Sequence, residues 1–342
     1  MQKKTDAKTI IIYIISIMLL LATLICFIML GLDVLYNKIF YEIDNNFYDY
    51  VLSMRSEPLN IFFIIITNFA NPIVMGIISL ILLFVFLNKK RYTFAIFLNM
   101  GLTALLNLSL KYIFVRSRPD ISQSLILESG YSFPSGHAMF AITFYGFLMF
   151  MISKLDIKKS NKVCLNASII ILMLLICFSR VYLGVHYLSD VIGGVLIASV
   201  YLIVFIYIFN RSNYNFREPA TAYKKHSFLG GFKYAIRGII ETVKDENNIL
   251  IQFSASMLTI MFAVFLHCTF VEWAILVIMC FLVVSLEMIN TAIENVCDRI
   301  TLEKDDKIRK IKDISAGAVL VMSICSVIVA GVIFLPKIPV LF

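Results

Sequence analysis

The chain has 342 residues, of which 60% are hydrophobic and 15% are charged. Soluble globular domains are about 45–50% apolar and about 25% charged. This composition excludes an ordinary soluble domain and predicts an all-α integral membrane protein. The net charge of +8 comes from basic residues scattered over short loops, so a nucleic-acid-binding surface is also excluded.

Apolar blocks of the length that a bilayer requires predict about nine transmembrane helices. In chain order, the blocks lie near residues 10–32, 60–87, 92–114, 137–153, 164–179, 189–209, 249–266, 272–296 and 314–335. The first block is too long for a removable signal peptide and lacks a small-residue cleavage site, so we expect it to be retained. Asn71-Pro72, inside the second block, predicts a kink because proline removes a helical hydrogen bond.

Two amphipathic segments, residues 34–58 and 229–246, are typical of helices that lie at a membrane surface. An ordinary solvated loop is the alternative for each. The seven cysteines lie in or beside the apolar blocks with no paired spacing, which favours apolar packing over disulfides or metal binding.

The distribution of basic residues indicates a topology. Of the 30 Lys and Arg residues, 23 lie in five segments that share one side of the membrane if nine helices cross it. Those segments are residues 1–8, 88–91, 154–162, 210–248 and 297–313. The positive-inside rule then predicts a cytoplasmic N-terminus and a C-terminus outside the cell.

A polar and basic stretch, residues 211–228, interrupts the apolar pattern and contains Pro219. It predicts a cytoplasmic linker between two domains. The first domain would take residues 1–210 with six helices, and the second would take residues 229–342 with three.

Ionisable residues gather at the predicted outer ends of several helices, where a charge is costly unless it has a partner or a function. With the small residues beside them, they are Lys111, Arg118, Ser135, Gly136, His137, Arg180, His186 and Asp190. The three cations can neutralise phosphoryl oxygens, and Ser135 and Gly136 open a helix whose N-terminus favours an anion. This set predicts cleavage of a phosphate ester without a metal ion.

His186 and Asp190 are four residues apart and therefore share a helix face. Asp190 can hold the imidazole in the tautomer that leaves its other nitrogen free to attack phosphorus. His137 can then protonate the leaving oxygen. The alternative is that these histidines and arginines are merely helix-end and interfacial residues.

Three ordered motifs carry a resemblance to a known family. Lys111-x6-Arg118-Pro119, Pro134-Ser135-Gly136-His137 and Ser179-Arg180-x5-His186-x3-Asp190 resemble the signatures of the type 2 phosphatidic acid phosphatase superfamily. The resemblance covers about residues 10–209 and implies a six-helix core. It also implies a phosphohistidine on His186, with His137 as the acid and with no cofactor.

A second set of acids lies at the predicted inner end of the block at 272–296. Glu287, Asn290, Glu294 and Asp298 recur at steps of three and four residues, so they form one stripe on a helix. A carboxylate within a membrane helix is rarely tolerated without a purpose. The alternative is that these acids form a solvated inner helix face.

Phosphoryl transfer from ATP needs Mg²⁺, a base near the accepting hydroxyl and cations around the phosphates. Glu246 and Glu294 can hold Mg²⁺ with ATP, and Glu287 can accept the proton of a lipid alcohol. Asn290 can orient the site. Lys312, followed by Asp313, lies at the same predicted membrane level and can contact the nucleotide or the substrate.

This part of the chain resembles the prokaryotic diacylglycerol kinase family, which includes undecaprenol kinases. The resemblance covers about residues 226–336, through GGFKYAIRGI at 230–239, Glu246, the stripe from Glu287 to Arg299, and Lys312-Asp313-x2-Ala316-Gly317-Ala318. It implies a kinase that uses ATP and Mg²⁺, and a homotrimer whose sites lie between subunits.

The two halves together predict a bifunctional enzyme of a bacterial cell membrane, with a lipid phosphatase outside and a lipid kinase inside. We expect it to act in undecaprenyl phosphate recycling, because dephosphorylation of the diphosphate and phosphorylation of the alcohol give the same product. Phosphatidate phosphatase with diacylglycerol kinase activity is the alternative. A non-catalytic transporter or scaffold on these folds is a further one.

Overall fold

The computed structural model describes residues 7–36, 39–85, 90–211, 228–301 and 303–341. Within these ranges the chain is helical and contains no β-strand, which confirms the predicted all-α class. The α-helices of the described ranges are α1 (Ala7–Tyr36), α2 (Ile39–Ser53), α3 (Glu57–Thr67), α4 (Pro72–Val85), α5 (Lys90–Phe114), α6 (Gly136–Phe140), α7 (Gly146–Ser153), α8 (Lys159–Tyr182), α9 (Leu188–Arg211), α10 (Phe228–Asp245), α11 (Asn247–Phe265), α12 (Phe270–Ile300) and α13 (Asp306–Phe334).

Eight helical segments of the described chain are long and apolar enough to cross a membrane. A bent pair, formed by α3 and α4, makes a ninth span if it is counted as one. The predicted multi-spanning membrane fold is thereby confirmed. The pair bends by 52° at Asn71, because Pro72 cannot continue the hydrogen bonding of the preceding turn. This bend is the predicted kink.

The chain divides into two compact units. The first comprises Met1–Met75 and Leu102–Ser212, and the second comprises Gly76–Gly101 and Asn213–Phe342. Residues 212–227, which form most of the predicted linker, lie outside the described residues.

The first unit has two apolar cores that hold the predicted phosphatase residues in place. In one core, Phe63 of α3 packs on Tyr182 at the end of α8, with ring centroids 4.4 Å apart. In the other, Phe27 of α1 stacks on Phe133 at a centroid distance of 6.0 Å. Phe133 directly precedes the Pro134–His137 motif, and Tyr182 is the last residue of α8, before the turn that leads to α9. The two cores therefore fix both motif-bearing segments.

The two predicted surface segments are helical. α2 packs against α8 and α9 and buries Asp44, Tyr48 and Val51 along one face. α10 contacts α11 and α12 in the second unit. The apolar face of α2 therefore packs against other helices of the protein, in addition to any contact with a membrane surface.

In the second unit, α12 packs along α11 and along α13. α12 begins with a capping box, in which Thr269 and Glu272 exchange hydrogen bonds with each other's backbone N–H groups. α13 begins after Asp305, whose carboxylate accepts hydrogen bonds from the backbone N–H groups of Lys307 and Ile308. These caps fix where the two helices begin, and thereby the register of the acidic stripe on α12 against α13.

Candidate active sites

The Pro134–His137 motif forms the entry to α6. Ser135 is the N-cap residue, and its hydroxyl accepts a hydrogen bond from the backbone N–H of Ala138. The backbone N–H of Ser135 donates to the carbonyl of Asp190 at 3.0 Å. A Cβ on Gly194 would lie 2.9 Å from the carbonyl oxygen of Ser135, so glycine permits α9 to approach this turn. The motif is thereby fixed against the start of α9.

His186 lies in the turn between α8 and α9, and its two ring nitrogens face different partners. Nδ1 lies 3.3 Å from Oδ2 of Asp190, which also accepts the backbone N–H of Tyr187. Nε2 lies 3.2 Å from Nη1 of Arg118. The carboxylate thus fixes the Nδ1–H tautomer and leaves the Nε2 lone pair directed at the basic cluster, as the sequence predicts for a nucleophile.

The electrostatic environment favours the neutral form of His186. The side chain is 1% exposed. Burial, and after it the positive charge of Arg118, lowers the pKa of His186 below its usual value, although the hydrogen bond that His186 donates to Asp190 acts in the opposite direction. A neutral imidazole is the form that can attack phosphorus.

Of the three predicted phosphate-binding cations, Arg118 lies directly beside this nitrogen. Arg118 is held by the backbone carbonyls of Ser129, Gly130 and Val185. Arg180 is fully buried on α8, where its Nη1 donates to Oγ1 of Thr67 at 2.5 Å. Its Nε has no hydrogen-bond partner among the described residues.

Lys111, in the last turn of α5, lies within electrostatic range of both arginines. A phosphoryl oxygen is an acceptor that suits all three cations.

Glu128, which the sequence analysis did not single out, lies among these groups. Its carboxylate forms ion pairs with Arg118, at 2.8 Å, and with Arg180. It also lies 3.6 Å from Nδ1 of His137 and 3.6 Å from Nε2 of His186. One carboxylate, that of Glu128, therefore contacts four of the predicted residues: Arg118, His137, Arg180 and His186.

Asp190 is supported by a second buried network. Nη1 of Arg116 donates to Asp190 at 2.6 Å, and Nη2 of the same guanidinium pairs with Asp44 at 2.7 Å. Asp44 also accepts the backbone N–H and the hydroxyl of Ser189. Arg116 and Asp44 were absent from the predicted site, although Arg116 lies within the Lys111–Pro119 motif.

In the second unit, Glu287 is 3% exposed and lies on α12 as predicted. Its Oε2 accepts a hydrogen bond from Nε2 of Gln252 on α11, at 2.8 Å. One turn further along α12, Asn290 donates to Oε1 of Glu294 at 2.9 Å and accepts the hydroxyl of Ser315 at 2.6 Å. The stripe therefore makes polar contacts with α11 through Glu287 and with α13 through Asn290.

The remaining predicted kinase residues lie near the start of α11, the end of α12 and the start of α13. Nζ of Lys312 pairs with Oδ1 of Asp298 at 2.5 Å. Asp313 pairs with Arg309 at 3.1 Å on the exposed surface of α13. Glu246 is the N-cap residue of α11, but its side chain makes no capping hydrogen bond.

Carboxylates such as Glu246 and Glu294 are suitable Mg²⁺ ligands, because this ion is bound through one or two carboxylates together with substrate phosphates and water. Among the described residues, no group of three or more His, Cys, Asp or Glu side chains is arranged to hold a metal ion.

Comparisons with known proteins match the two parts of the chain in which these residues lie. Residues 91–214 match the model of the PAP2 superfamily, and residues 233–334 match that of prokaryotic diacylglycerol kinase. The chain is 36% identical over 110 residues to undecaprenol kinase of Bacillus subtilis, a match that covers 32% of this chain and 89% of that protein.

This chain is also 40% identical over 95 residues to phosphatidylglycerophosphatase B of Bacillus subtilis. That match covers 28% of this chain and 46% of the relative, so it spans less than half of the relative's length. A solved structure, the first transmembrane PAP2-type phosphatidylglycerolphosphate phosphatase from Bacillus subtilis, superposes with a TM-score of 0.50 and 26% identity. The superposition covers 58% of this chain and 98% of that one, which confirms the fold of the phosphatase-like part.

Proposed function

We propose that this chain, which belongs to the prokaryotic diacylglycerol kinase family and carries a PAP2 superfamily domain, catalyses two lipid phosphoryl-transfer reactions. Residues 1–210 would form the phosphatase domain, 211–228 the linker and 229–342 the kinase domain. The observation that carries the phosphatase proposal is that His186 Nε2, Arg118 and Arg180 all face one place, which the Glu128 carboxylate occupies.

In the phosphatase reaction, Nε2 of His186 attacks the phosphorus of the lipid phosphate, and the bond from phosphorus to the lipid oxygen breaks. His137 gives its proton to that oxygen, so the lipid leaves as the alcohol or the monophosphate. Asp190 holds the Nδ1 proton and stabilises the positive charge that develops on the ring. His137 then removes a proton from water, which attacks phosphorus, and the bond from phosphorus to Nε2 breaks to release phosphate.

Lys111, Arg118 and Arg180 stabilise the three phosphoryl oxygens through both steps. The backbone N–H of Gly136, which follows the N-cap Ser135, adds the favourable end of the α6 dipole. These fixed charges do the electrostatic work, so we expect the phosphatase to need no cofactor.

In the kinase reaction, Glu287 accepts the proton of a lipid alcohol whose oxygen attacks the γ-phosphorus of ATP. The bond from that phosphorus to the β–γ bridging oxygen breaks, and ADP leaves. Gln252 orients the Glu287 carboxylate, and Asn290 orients Glu294. Glu246 and Glu294 would hold Mg²⁺, which would neutralise charge on the phosphates. Lys312 and Asp313 would contact the nucleotide or the substrate.

The kinase half supports a further proposal, a homotrimer with sites between subunits. The support for it is the match of residues 233–334 to the prokaryotic diacylglycerol kinase family. Mixing two inactive variants, Glu246→Gln and Glu287→Gln, tests it. If each site takes residues from two subunits, a mixed oligomer contains some sites in which both glutamates are intact, and the mixture regains kinase activity. If each site lies within one subunit, the mixture stays inactive.

The basic segments support a cytoplasmic N-terminus in a bacterial cell membrane, because 23 of 30 Lys and Arg residues then lie inside. The phosphatase site would face outward and the kinase site inward, where ATP is present. Undecaprenyl phosphate recycling is the pathway that we favour, since one relative of the kinase half is an undecaprenol kinase. A phosphatidate–diacylglycerol cycle on shared substrate would hydrolyse ATP without gain.

A lipid panel tests the substrate assignment. Purified full-length protein is assayed for phosphate release from undecaprenyl diphosphate, phosphatidylglycerol phosphate and phosphatidate, and for ATP-dependent phosphorylation of undecaprenol and diacylglycerol. We expect turnover of the two polyprenyl lipids. Turnover of the glycerolipids without any polyprenyl turnover would contradict the preference, and no turnover at all would favour a transporter or scaffold.

A further inference from the structure

Glu128 occupies a position that an anionic ligand would otherwise take. One oxygen contacts Arg180 and lies 3.6 Å from His137, and the other lies 2.8 Å from Arg118 and 3.6 Å from Nε2 of His186. A phosphoryl group attacked by His186 has to present its oxygens to the same guanidinium groups. Carboxylate and phosphoryl oxygens are recognised by the same donor geometry, so the two anions compete for one place.

The charges around this place favour a more highly charged anion than a carboxylate. Arg180 is fully buried, and its Nε has no hydrogen-bond partner among the described residues even with Glu128 in contact. Lys111 and Arg118 add two further cations within electrostatic range. A buried donor without a partner is costly, and a phosphoryl group has enough oxygens to satisfy it.

The loop that carries Glu128 is attached at both ends, and Arg118 binds the carbonyls of Ser129 and Gly130 beside Glu128. The backbone N–H of Leu125 donates to Leu183 at 2.9 Å, and that of Ser132 donates to Arg116 at 2.9 Å. Gly130, between the attachment points, has a φ of 77°, which glycine adopts without strain. The Glu128 side chain is 18% exposed, unlike the fully buried Arg180. A rotation of the Glu128 side chain can therefore move its carboxylate away from the arginines without breaking these backbone hydrogen bonds.

We propose that Glu128 is an internal anion that exchanges with the phosphoryl group during each phosphatase turnover. This inference rests on the phosphatase function proposed above. Substrate displaces the carboxylate from Arg118 and Arg180, and the returning carboxylate displaces the phosphate product. The exchange weakens binding of free phosphate and thereby limits inhibition by the product.

The ionisation of Glu128 supports this role. Burial alone would raise the pKa of Glu128, but Arg180, the two histidines and Arg118 hold it well below its usual value. The group is therefore an anion across the physiological pH range. It can compete with phosphate whenever the site is free.

Direct binding of inorganic phosphate to the full-length chain tests the proposal. Isothermal titration calorimetry compares wild type with Glu128→Gln, which keeps the shape but loses the charge. We expect Glu128→Gln to bind phosphate about tenfold more tightly or better, because a neutral amide cannot compete for two arginines as a carboxylate does. Equal or weaker binding by this variant would overturn the proposal.

Glu57→Gln is the matched control, since Glu57 is an exposed carboxylate of the same unit at the start of α3. It should bind phosphate within about twofold of wild type, because it removes a charge with no contact to the site. A merely structural role for Glu128 predicts weaker phosphate binding on substitution, which is opposite in sign to the expected gain.

Glu128→Asp provides a second variant if Glu128→Gln does not fold. The shorter side chain keeps the charge but reaches the arginines less well, so we expect an affinity between those of wild type and Glu128→Gln. Wild-type affinity or weaker would contradict the proposal. If wild type neither binds phosphate nor hydrolyses any lipid phosphate, the proposed phosphatase function fails, whereas hydrolysis with unchanged phosphate affinity in both variants removes only the role of Glu128.

Discussion

The Nδ1 atom of His186 lies 3.3 Å from Oδ2 of Asp190, four residues further along the chain. The same carboxylate accepts Arg116 at 2.6 Å, so it is fixed from two sides. Nε2 of His186 is consequently the nitrogen directed at Arg118. This orientation distinguishes a nucleophilic histidine from one that only lies at a helix end.

We predict that Asp190→Asn lowers kcat of the phosphatase by about 10²–10⁴-fold while KM changes little, because the imidazole loses its fixed tautomer and its stabilising charge. Steady-state hydrolysis of a lipid phosphate by the purified variant measures both parameters. A parallel fall in ATP-dependent kinase activity would instead indicate a loss of folding.

The acid limb of the phosphatase pH profile should lie below the usual pKa of histidine, about 6.5. Burial and Arg118 lower the pKa of His186, so its neutral, reactive form persists to lower pH and activity is lost only as pH falls through that lowered value. The pH dependence of kcat/KM, which reports the free enzyme, measures this limb. A midpoint above 7 would contradict a neutral His186 nucleophile.

Asp44→Ala should destabilise the first unit by about 3–5 kcal/mol, because it leaves Arg116 in a largely buried position with one carboxylate partner fewer. Asp49→Ala is the matched control, an exposed aspartate on the same helix, and should lie within about 0.5 kcal/mol of wild type. The free energy of unfolding in detergent, from denaturant titration, distinguishes them. Equal effects of the two changes would show that the buried pair has no special role.

Gln252→Ala should lower the kinase kcat by about 10–100-fold, because it removes a hydrogen bond to a buried carboxylate. ATP-dependent phosphorylation of the lipid alcohol is the readout. Phosphatase activity of the same preparation is the internal control and should stay at the wild-type level. Kinase activity that is unchanged would mean that Gln252 does not orient Glu287.

The sequence predicts those parts of the site that depend on spacing along one element. His186 with Asp190, and Glu287 with Asn290 and Glu294, follow from helical periodicity. The kink at Asn71 follows from a local property of Pro72. In each case the relevant residues are close in sequence, so the pattern and the structure report the same relationship.

Contacts between distant segments leave no such spacing pattern in the sequence. Arg116 and Asp44 are 72 residues apart, and nothing in either local pattern predicts their pair. Glu128 is one carboxylate in a polar loop, without a periodic partner. A buried arginine such as Arg180 does demand an anion, which is the physical reason to look for a carboxylate near it.

Reciprocal inactivation tests the central claim, that one chain contains two separate phosphoryl-transfer sites. Purified wild type, His186→Asn and Glu287→Gln are assayed side by side for lipid phosphate hydrolysis and for ATP-dependent lipid phosphorylation. His267→Asn is the histidine control, since its φ of 48° suits asparagine and it lies in the second unit. We predict that His186→Asn loses only the phosphatase, that Glu287→Gln loses only the kinase and that His267→Asn retains both. Loss of both activities in either of the first two variants, or of neither, would contradict the account.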